Sequence, residues 1–199
     1  MWKQALLATS IALAAVPAVS RAGDKTCSID VCKSENPSCR AFNGKKWCDV
    51  THSGGTHYTR VNVYDHTGFP EVPRAWANLN NPPNPPGNTL FLKSDGQNHS
   101  NHDLDYWKVH DGNDSWLGLT ETVADNGCMR HGSGKILFNL DRVSPDNHAL
   151  VLIVAQHETG HGVGLGHVCD CPNIMNACVN CKTTDLSACD ATGLHELYP

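Results

Sequence analysis

Apolar and polar residues alternate along several short segments of the chain, which is the period of a strand with one buried face. The clearest segment starts at His57, where Val61 and Val63 alternate with Arg60 and Asn62. Further strands are predicted at Thr89 to Lys93, Ser115 to Val123 and Lys135 to Leu140, with a weaker one at Tyr106 to His110. The pattern therefore predicts a β-sheet built from the middle of the chain.

Three segments have helical spacing instead. Pro70 to Asn81 places apolar residues three and four positions apart and ends at a run with four prolines, which neither a helix nor a strand accommodates. Ser144 is expected to cap a long helix, with Pro145 at its first position and Asp146 in its first turn. Asp185 to Tyr198 is expected to form a closing helix. This mixture of strands and helices predicts the α+β class. A length of 199 residues predicts one domain, or one domain with a small appendage.

The charge of the chain argues against a nucleic-acid partner. It has 15 Lys and Arg residues against 20 Asp and Glu residues, a formal net charge of -5, and no basic stripe interleaved with aromatic residues. Hydrophobic residues make up 40% of the chain, which is enough to fill a core and excludes a disordered protein.

The first 22 residues have the pattern of a secretory signal peptide. Lys3 provides a positive start, Ala5 to Val19 is apolar, and Ser20 and Ala22 are small residues at the cleavage positions. The alternative is a membrane anchor, but the apolar stretch is shorter than the roughly 20 residues that a bilayer requires and contains Pro17. The mature protein is therefore expected to be secreted and extracellular, without membrane association.

Ten cysteines in an exported chain predict disulfides, and their even number fits complete pairing. Four lie in residues 23–56, which lack apolar periodicity and form a cysteine-rich N-terminal segment, either a pro-segment that is removed or a permanent brace. If these four pair among themselves, Cys128 is left to link the strand region to the loop after residue 167. The alternative is a second zinc ion in that loop, although such a site suits a reducing compartment better. Its ligands would be Cys169, Cys171, Cys178 and Cys181.

Three histidines and a glutamate between residues 157 and 167 carry the clearest chemistry. His157 and His161 are four residues apart, so on a helix they lie on one face and can bind one metal ion. Glu158 points toward the open side of the ion, where a carboxylate can take a proton from water. Gly164 can adopt a positive φ, which lets the chain turn and bring His167 back as a third nitrogen ligand. Three ligands with an open fourth position are typical of a catalytic zinc ion rather than a structural one.

The segment HETGHGVGLGH resembles the long motif HExxHxxGxxH of the metzincin clan of zinc endopeptidases. Met175 follows where the clan carries its Met-turn, and the spacing from His167 to Met175 is most similar to that of matrixins. Val168 matches none of the residues that distinguish the named families, and Ala177 stands where some families have a tyrosine ligand. The latency motif of matrixins, with its cysteine, is absent from residues 23–56.

The resemblance implies a metzincin-like catalytic domain over residues 57–199, with a twisted mixed β-sheet, a long active-site helix, a Met-turn and a C-terminal helix. It implies one catalytic zinc ion bound by His157, His161 and His167. It also implies that Glu158 is the general base and that the enzyme hydrolyses internal peptide bonds in protein or peptide substrates.

Substrates would pair with an edge strand of the sheet, for which Ser115 to Val123 is the candidate. The enzyme is expected to be a monomer. The alternative from another class is a non-catalytic, cysteine-rich secreted binding protein with a structural zinc site. Glu158 distinguishes the two hypotheses, because only the enzyme needs a proton acceptor beside the metal.

Residues 95–114 are polar and hold several histidines and aspartates. One interpretation is a loop that faces water. The other is a structural ion, either calcium on the carboxylates or a second zinc ion. The zinc ligands would be His99, His102, His110 and Asp103.

Overall fold

The computed structural model of the protein describes eight stretches of the chain. They are residues 18–21, 44–53, 56–80, 89–94, 102–112, 116–168, 172–177 and 183–198. The proline run at residues 82–86 and the cysteines proposed to hold a second zinc ion lie outside them.

Nine strands and three helices are formed by the described residues. The strands are β1 (Ala18–Arg21), β2 (Val50–Ser53), β3 (Thr56–Asp65), β4 (Thr89–Ser94), β5 (Leu104–Val109), β6 (Gly118–Thr122), β7 (Ala124–Asp125), β8 (Cys128–Met129) and β9 (Gly134–Asn139). The helices are α1 (Glu71–Asn80), α2 (His148–Gly162) and α3 (Ala188–Leu197). Within the described stretches, no helix has the length and apolar character needed to cross a bilayer.

A mixed sheet is the frame of the fold. Seven of the described strands take part, in the order β1-β6-β9-β5-β3-β2, and β4 also pairs with β3. β3 is parallel to β4 and β5, and β5 is parallel to β9. β6 is antiparallel to β9, while β1 and β2 are antiparallel to β6 and β3. The predicted α+β class with a mixed sheet is confirmed.

The core lies between one face of this sheet and the helices. Strand alternation directs Val61, Leu104 and Ile136 into it, and each is 0% exposed. Val154 of α2 belongs to the same buried cluster. Burying an aliphatic side chain of this size contributes about 1.5–3 kcal/mol. The strands therefore form a close-packed support against which α2 is fixed.

The start of α2 differs from the prediction. The sequence places its cap at Ser144, but the cap is Asn147, whose side-chain oxygen accepts a hydrogen bond from the Leu150 amide at 3.2 Å. The Asn147 amide donates to the Ser144 carbonyl at 3.0 Å, so a turn precedes the helix and contains Pro145 and Asp146. Asparagine and serine are caps of similar strength, so cap propensity does not by itself decide between these two positions.

Part of the N-terminal segment is built into the core. Trp47 is 1% exposed, and its indole Nε1 donates to the Gly162 carbonyl at the end of α2 at 2.9 Å. The Trp47 amide donates to the hydroxyl of Tyr198 at 3.1 Å, and that hydroxyl donates to the Val163 carbonyl at 2.7 Å. Burial raises the pKa of Tyr198, which keeps it a hydrogen-bond donor. Residues 44–49 thus contact both the second and the last helix.

One disulfide ties this segment to the strand region. Cys48 is bonded to Cys128, although the sequence suggested internal pairing of the N-terminal cysteines and a link from Cys128 to the later loop. That suggestion is wrong for these two residues. Lys46 and Cys128 form a β-bridge, in which the Met129 amide donates to the Lys46 carbonyl at 2.8 Å, and this pairing brings the two cysteines together.

The strand proposed as the sheet edge has a neighbour on its outer side. β6 is flanked by β9 on one side and by β1 on the other, in a register that sets Ala18 opposite Thr122 and Arg21 opposite Leu119. The prediction that Ser115 to Val123 provides a free edge is therefore wrong for the chain that carries residues 18–21. These residues fall within the segment expected to be removed as a signal peptide.

Candidate metal centre

The end of α2 positions the candidate ligands. The Leu165 amide donates to the Gly160 carbonyl at 2.9 Å and the Gly164 amide donates to the His161 carbonyl at 3.0 Å, which are the paired hydrogen bonds of a Schellman motif. Gly164 has a φ of +103°, the positive value that the sequence spacing predicts. The chain consequently leaves the helix in a tight turn and returns His167 to its surface.

The three imidazoles converge through one atom each. The Nε2 atoms of His157 and His161 are 3.1 Å apart, those of His161 and His167 are 3.1 Å apart, and those of His167 and His157 are 3.3 Å apart. His157 and His161 are buried and His167 is half-buried. Among the described residues, this is the one group of His, Cys, Asp or Glu side chains arranged to hold a metal ion.

Backbone carbonyls orient two of these rings. The Nδ1 atom of His157 lies 2.6 Å from the Ile174 carbonyl oxygen, and that of His161 lies 2.8 Å from the Leu165 carbonyl oxygen. A carbonyl only accepts, so each Nδ1 must carry the hydrogen. The neutral ring then presents the lone pair of Nε2, which is the tautomer that binds metal.

The donor set fits a zinc ion. Three lone pairs that face one another at 3.1 to 3.3 Å repel unless a cation lies between them. Zinc–nitrogen bonds of about 2.0–2.1 Å in a tetrahedron separate the nitrogens by about 3.3 Å, close to the spacing found here. Three nitrogens leave one tetrahedral position for another ligand, so the site can bind a metal ion and a reactant together.

Glu158 is fully buried beside the first of these histidines. Its carboxylate Oε2 accepts a hydrogen bond of 2.7 Å from the hydroxyl of Thr120 on β6, and the same hydroxyl lies 2.9 Å from the Glu158 carbonyl oxygen. Gly118, two residues earlier on β6, faces the same side chain. The sheet therefore contacts α2 at the residue next to the metal-binding group.

The loop that holds Met175 passes beneath α2. Met175 is 1% exposed, and its sulfur occupies the space that a side chain on Gly160 would need. Its carbonyl accepts from the Val168 amide at 3.0 Å, and its amide donates to the Asn173 side chain at 2.8 Å. These contacts join the loop to the chain just after His167.

The first turn of α3 supports the same loop. Ser187 and Asp190 form a capping box, and the Asp190 carboxylate also accepts from the Ile174 amide at 3.4 Å. Burial raises the pKa of Asp190, against hydrogen bonds from Ser187, Ile174 and Met175 that lower it. Because the Ile174 carbonyl accepts the hydrogen bond from His157, α3 helps to hold the His157 ring in position through this loop.

The residues proposed for a second structural ion are not brought together where they are described. His102 pairs with Asp105 at 2.9 Å, and His110 pairs with Asp141 at 2.8 Å. Asp103 pairs with His131 at 2.5 Å. His99 lies outside the described residues. Each described member is thus used in a separate contact.

Three residues that shape the site were not predicted. Thr120 and Gly118 lie 38 and 40 positions before Glu158, and Trp47 lies 115 positions before Gly162. Strand alternation gives Gly118 and Thr120 a common face, but no local signal identifies Glu158 as their neighbour. Trp47 lies in a segment without periodicity.

Comparison with known families adds independent information. The family model described as Matrixin matches residues 80–199, more than half of the chain. No curated protein matches the chain. Because the matched range contains α2, the turn at Gly164 and α3, it includes all three converging imidazoles. The chain belongs to the matrixin family of zinc metalloproteases.

Proposed function

We propose that this protein is a secreted, zinc-dependent endopeptidase that hydrolyses internal peptide bonds. The observation that carries the proposal is the convergence of three imidazole nitrogens at 3.1 to 3.3 Å, next in sequence to a fully buried carboxylate. His157, His161 and His167 bind one zinc ion, and Glu158 is the catalytic residue.

The metal and the chain have separate tasks. His157, His161 and His167 would hold the zinc ion, which would supply a Lewis acid able to polarise the scissile carbonyl and acidify water. Glu158 accepts a proton from water and delivers it to the nitrogen of the departing amine. The hydrogen bonds from His157 and His161 to backbone carbonyls hold their Nε2 atoms in place during this exchange.

A non-catalytic protein with a structural zinc site accounts for these residues less well. Structural zinc sites close their shell with four protein ligands, whereas three side chains converge among the described residues. This open position favours the enzyme.

The outer edge of β6 is the proposed binding surface for substrates. β1 pairs with it in an extended, antiparallel manner, which supports the view that this edge can bind a further strand. Removal of residues 1–22 on export would free the edge for an extended protein or peptide substrate, bound by backbone hydrogen bonds. We assign β6 this role in the mature, monomeric, extracellular enzyme.

Two further assignments follow from the contacts around α2. Met175 is the Met-turn residue, because it packs under the helix at Gly160 and its loop carries the carbonyl that orients His157. Residues 44–53 are a permanent brace rather than a removed pro-segment, because Trp47 is buried against the end of α2 and Cys48 is bonded to Cys128.

Glu158→Gln tests the proposed function. It keeps the shape of the side chain and removes its ability to accept a proton, so kcat/KM on a denatured protein substrate should fall by about 10²–10⁴-fold. Zinc content, measured on the purified protein, should stay at one ion per chain. Chelation should abolish the activity of the wild type, and added zinc should restore it.

Glu196→Gln, an exposed position on α3, is the matched control and should retain wild-type activity. The proposal would be wrong if Glu158→Gln kept full activity with zinc bound. It would also be wrong if the zinc-loaded wild type, cut free of residues 1–22, left every protein substrate intact; that outcome would favour the binding protein.

A further inference from the structure

β6 contacts Glu158 from two positions on one face. Gly118 and Thr120 are two residues apart, so both point toward α2. Thr120 Oγ1 lies 2.7 Å from Glu158 Oε2 and 2.9 Å from the Glu158 carbonyl oxygen. A side chain on Gly118 would come within 2.6 Å of Glu158 Cγ and 2.8 Å of Glu158 Oε1. The Glu158 side chain therefore lies against β6 along its length, from Cγ to the carboxylate.

The double contact of Thr120 restricts the conformation of Glu158. A hydroxyl has one hydrogen, so it donates to one of the two oxygens at a time. Both oxygens belong to the same residue and must stay within reach of the one hydroxyl. The carboxylate is therefore kept folded back toward its own backbone, although a free Glu side chain has three rotatable bonds.

Threonine suits this task better than serine. Its β-branch limits χ1 to few rotamers, so the hydroxyl is fixed in direction by the packing of its methyl group. Thr120 is 2% exposed and pairs with Ile136 on β9, which places it in the rigid part of the sheet. The donor is thus preorganised before Glu158 acts.

Gly118 supplies the space for the same arrangement. A side chain there would also lie 2.6 Å from Val154 Cγ1, so α2 could not approach β6 as closely. The missing side chain lets the Glu158 stem cross the strand at this point. Gly118 provides the room, and Thr120 provides the hydrogen bond.

We propose that Thr120 is a positioning residue that holds the Glu158 carboxylate in its working orientation. The proposal deepens the function given above and rests on it, since Glu158 must be the general base for its orientation to affect catalysis. A general base must lie within hydrogen-bonding distance of the proton that it removes, and a displacement of about 1 Å can cost about 10²-fold in rate.

Thr120→Val and Thr120→Ser test the proposal. Valine has the shape of threonine but no donor, and it should lower kcat by about 10–100-fold while KM changes by less than about threefold. Serine keeps the donor, and kcat should recover to within about fivefold of the wild type. Zinc content and melting temperature are measured on each variant, so that lost metal or lost fold is detected directly.

Thr59→Val is the matched control, since it removes a buried threonine hydroxyl from β3, a strand outside the proposed substrate-binding edge. It should leave kcat within about threefold of the wild type. The proposal is overturned if folded, zinc-loaded Thr120→Val has wild-type kcat, if Thr120→Ser is as slow as Thr120→Val, or if Thr59→Val loses as much. If Thr120→Val does not fold, the serine variant and the control decide. An inactive wild type would refute the proposed function instead.

Discussion

At the scale of single residues, the metal centre depends on one backbone conformation. Gly164 has a φ of +103°, a value that disfavours any residue with a β-carbon. A side chain there would also collide with the carbonyl oxygen of Lys45. This position therefore serves both the turn that returns His167 and the close approach of the N-terminal segment.

Gly164→Ala should be strongly destabilising. Strain at a positive φ costs about 1–3 kcal/mol, and the collision with Lys45 adds to it. Chemical denaturation measures the loss of stability, and zinc affinity should fall because His167 is displaced. Gly68→Ala is the matched control, since Gly68 also has a positive φ, +67°, but has open space around it. This variant should lose only the stability that backbone strain costs, and its zinc affinity should be unchanged. Equal losses in the two variants would contradict this account.

The residues of the metal-binding segment can be predicted from their spacing in the sequence. The residues that hold them in position cannot. His157 and His161 are one helical turn apart, and Gly164 allows the chain to turn after the helix. Both are local features, so the sequence alone predicts that the imidazoles converge. Thr120 matters because β6 packs on α2, a contact across 38 residues that depends on the register of the whole sheet. Such contacts leave no local pattern.

At the scale of elements, the ends of the helices and strands were harder to predict than their presence and type. The helix expected from Pro70 to Asn81 runs from Glu71 to Asn80, and the strand expected at Lys135 to Leu140 runs from Gly134 to Asn139. α2 begins later than expected because Asn147 caps it instead of Ser144. The pairing of β1 with β6 could not be predicted, since residues 18–21 resemble the end of a leader sequence.

The pairing of β1 predicts a difference between the full chain and the chain that begins at residue 23. β1 satisfies the backbone groups on the outer side of β6, so it competes with a strand-like substrate for them. Folded full-length protein should have a higher KM for long peptide substrates than the shortened chain, with similar zinc content. Arg21→Pro removes an amide from β1 and should lower the KM of the full chain. Equal KM values in all three proteins would show that β1 does not compete.

At the scale of the whole molecule, the N-terminal segment connects distant parts of the fold. Trp47 reaches the end of α2, Lys46 donates to the Leu197 carbonyl at 3.1 Å, and Cys48 is bonded to Cys128. A disulfide that spans 80 residues restricts the unfolded chain considerably.

Replacing both Cys48 and Cys128 by serine should lower the free energy of unfolding by about 2–4 kcal/mol. Urea denaturation of the variant and the wild type measures the difference, with the zinc content of both proteins held equal. The double variant avoids an unpaired thiol, which could exchange with other disulfides. An unchanged denaturation midpoint would show that Trp47 and its neighbours hold the segment without the bond.

Stability should also depend on pH through His131. Its Nε2 pairs with Asp49 at 2.7 Å and its Nδ1 with Asp103 at 2.5 Å, so the ring joins the N-terminal segment to the start of β5. Burial lowers the pKa of His131, but hydrogen bonds and charges from the two aspartates outweigh this and raise it above 6.5 overall. Its stabilising effect is therefore complete below the ordinary pKa and is lost as the pH rises through the raised one.

Thermal unfolding of wild type and His131→Gln checks this sign. The advantage of the wild type in Tm should be largest near about pH 6, below the ordinary pKa of histidine, and should decline as the pH rises through the raised pKa toward about 9. His110→Gln, at a surface histidine that pairs with a single aspartate, Asp141, among the described residues, is the control for general effects of losing a histidine and should show a smaller dependence. An advantage that is constant over this range would rule out the charged ring as the link.

The pairing of β3 with several strands bears on how this protein can be produced in pieces. β3 pairs with β2, β4 and β5, yet it precedes residue 80, where the similarity to matrixins begins. A recombinant fragment trimmed to the matched range would lack this strand and would leave the final turn of α2 without the indole that donates to its carbonyl. The smallest piece expected to fold by itself starts at or before residue 44.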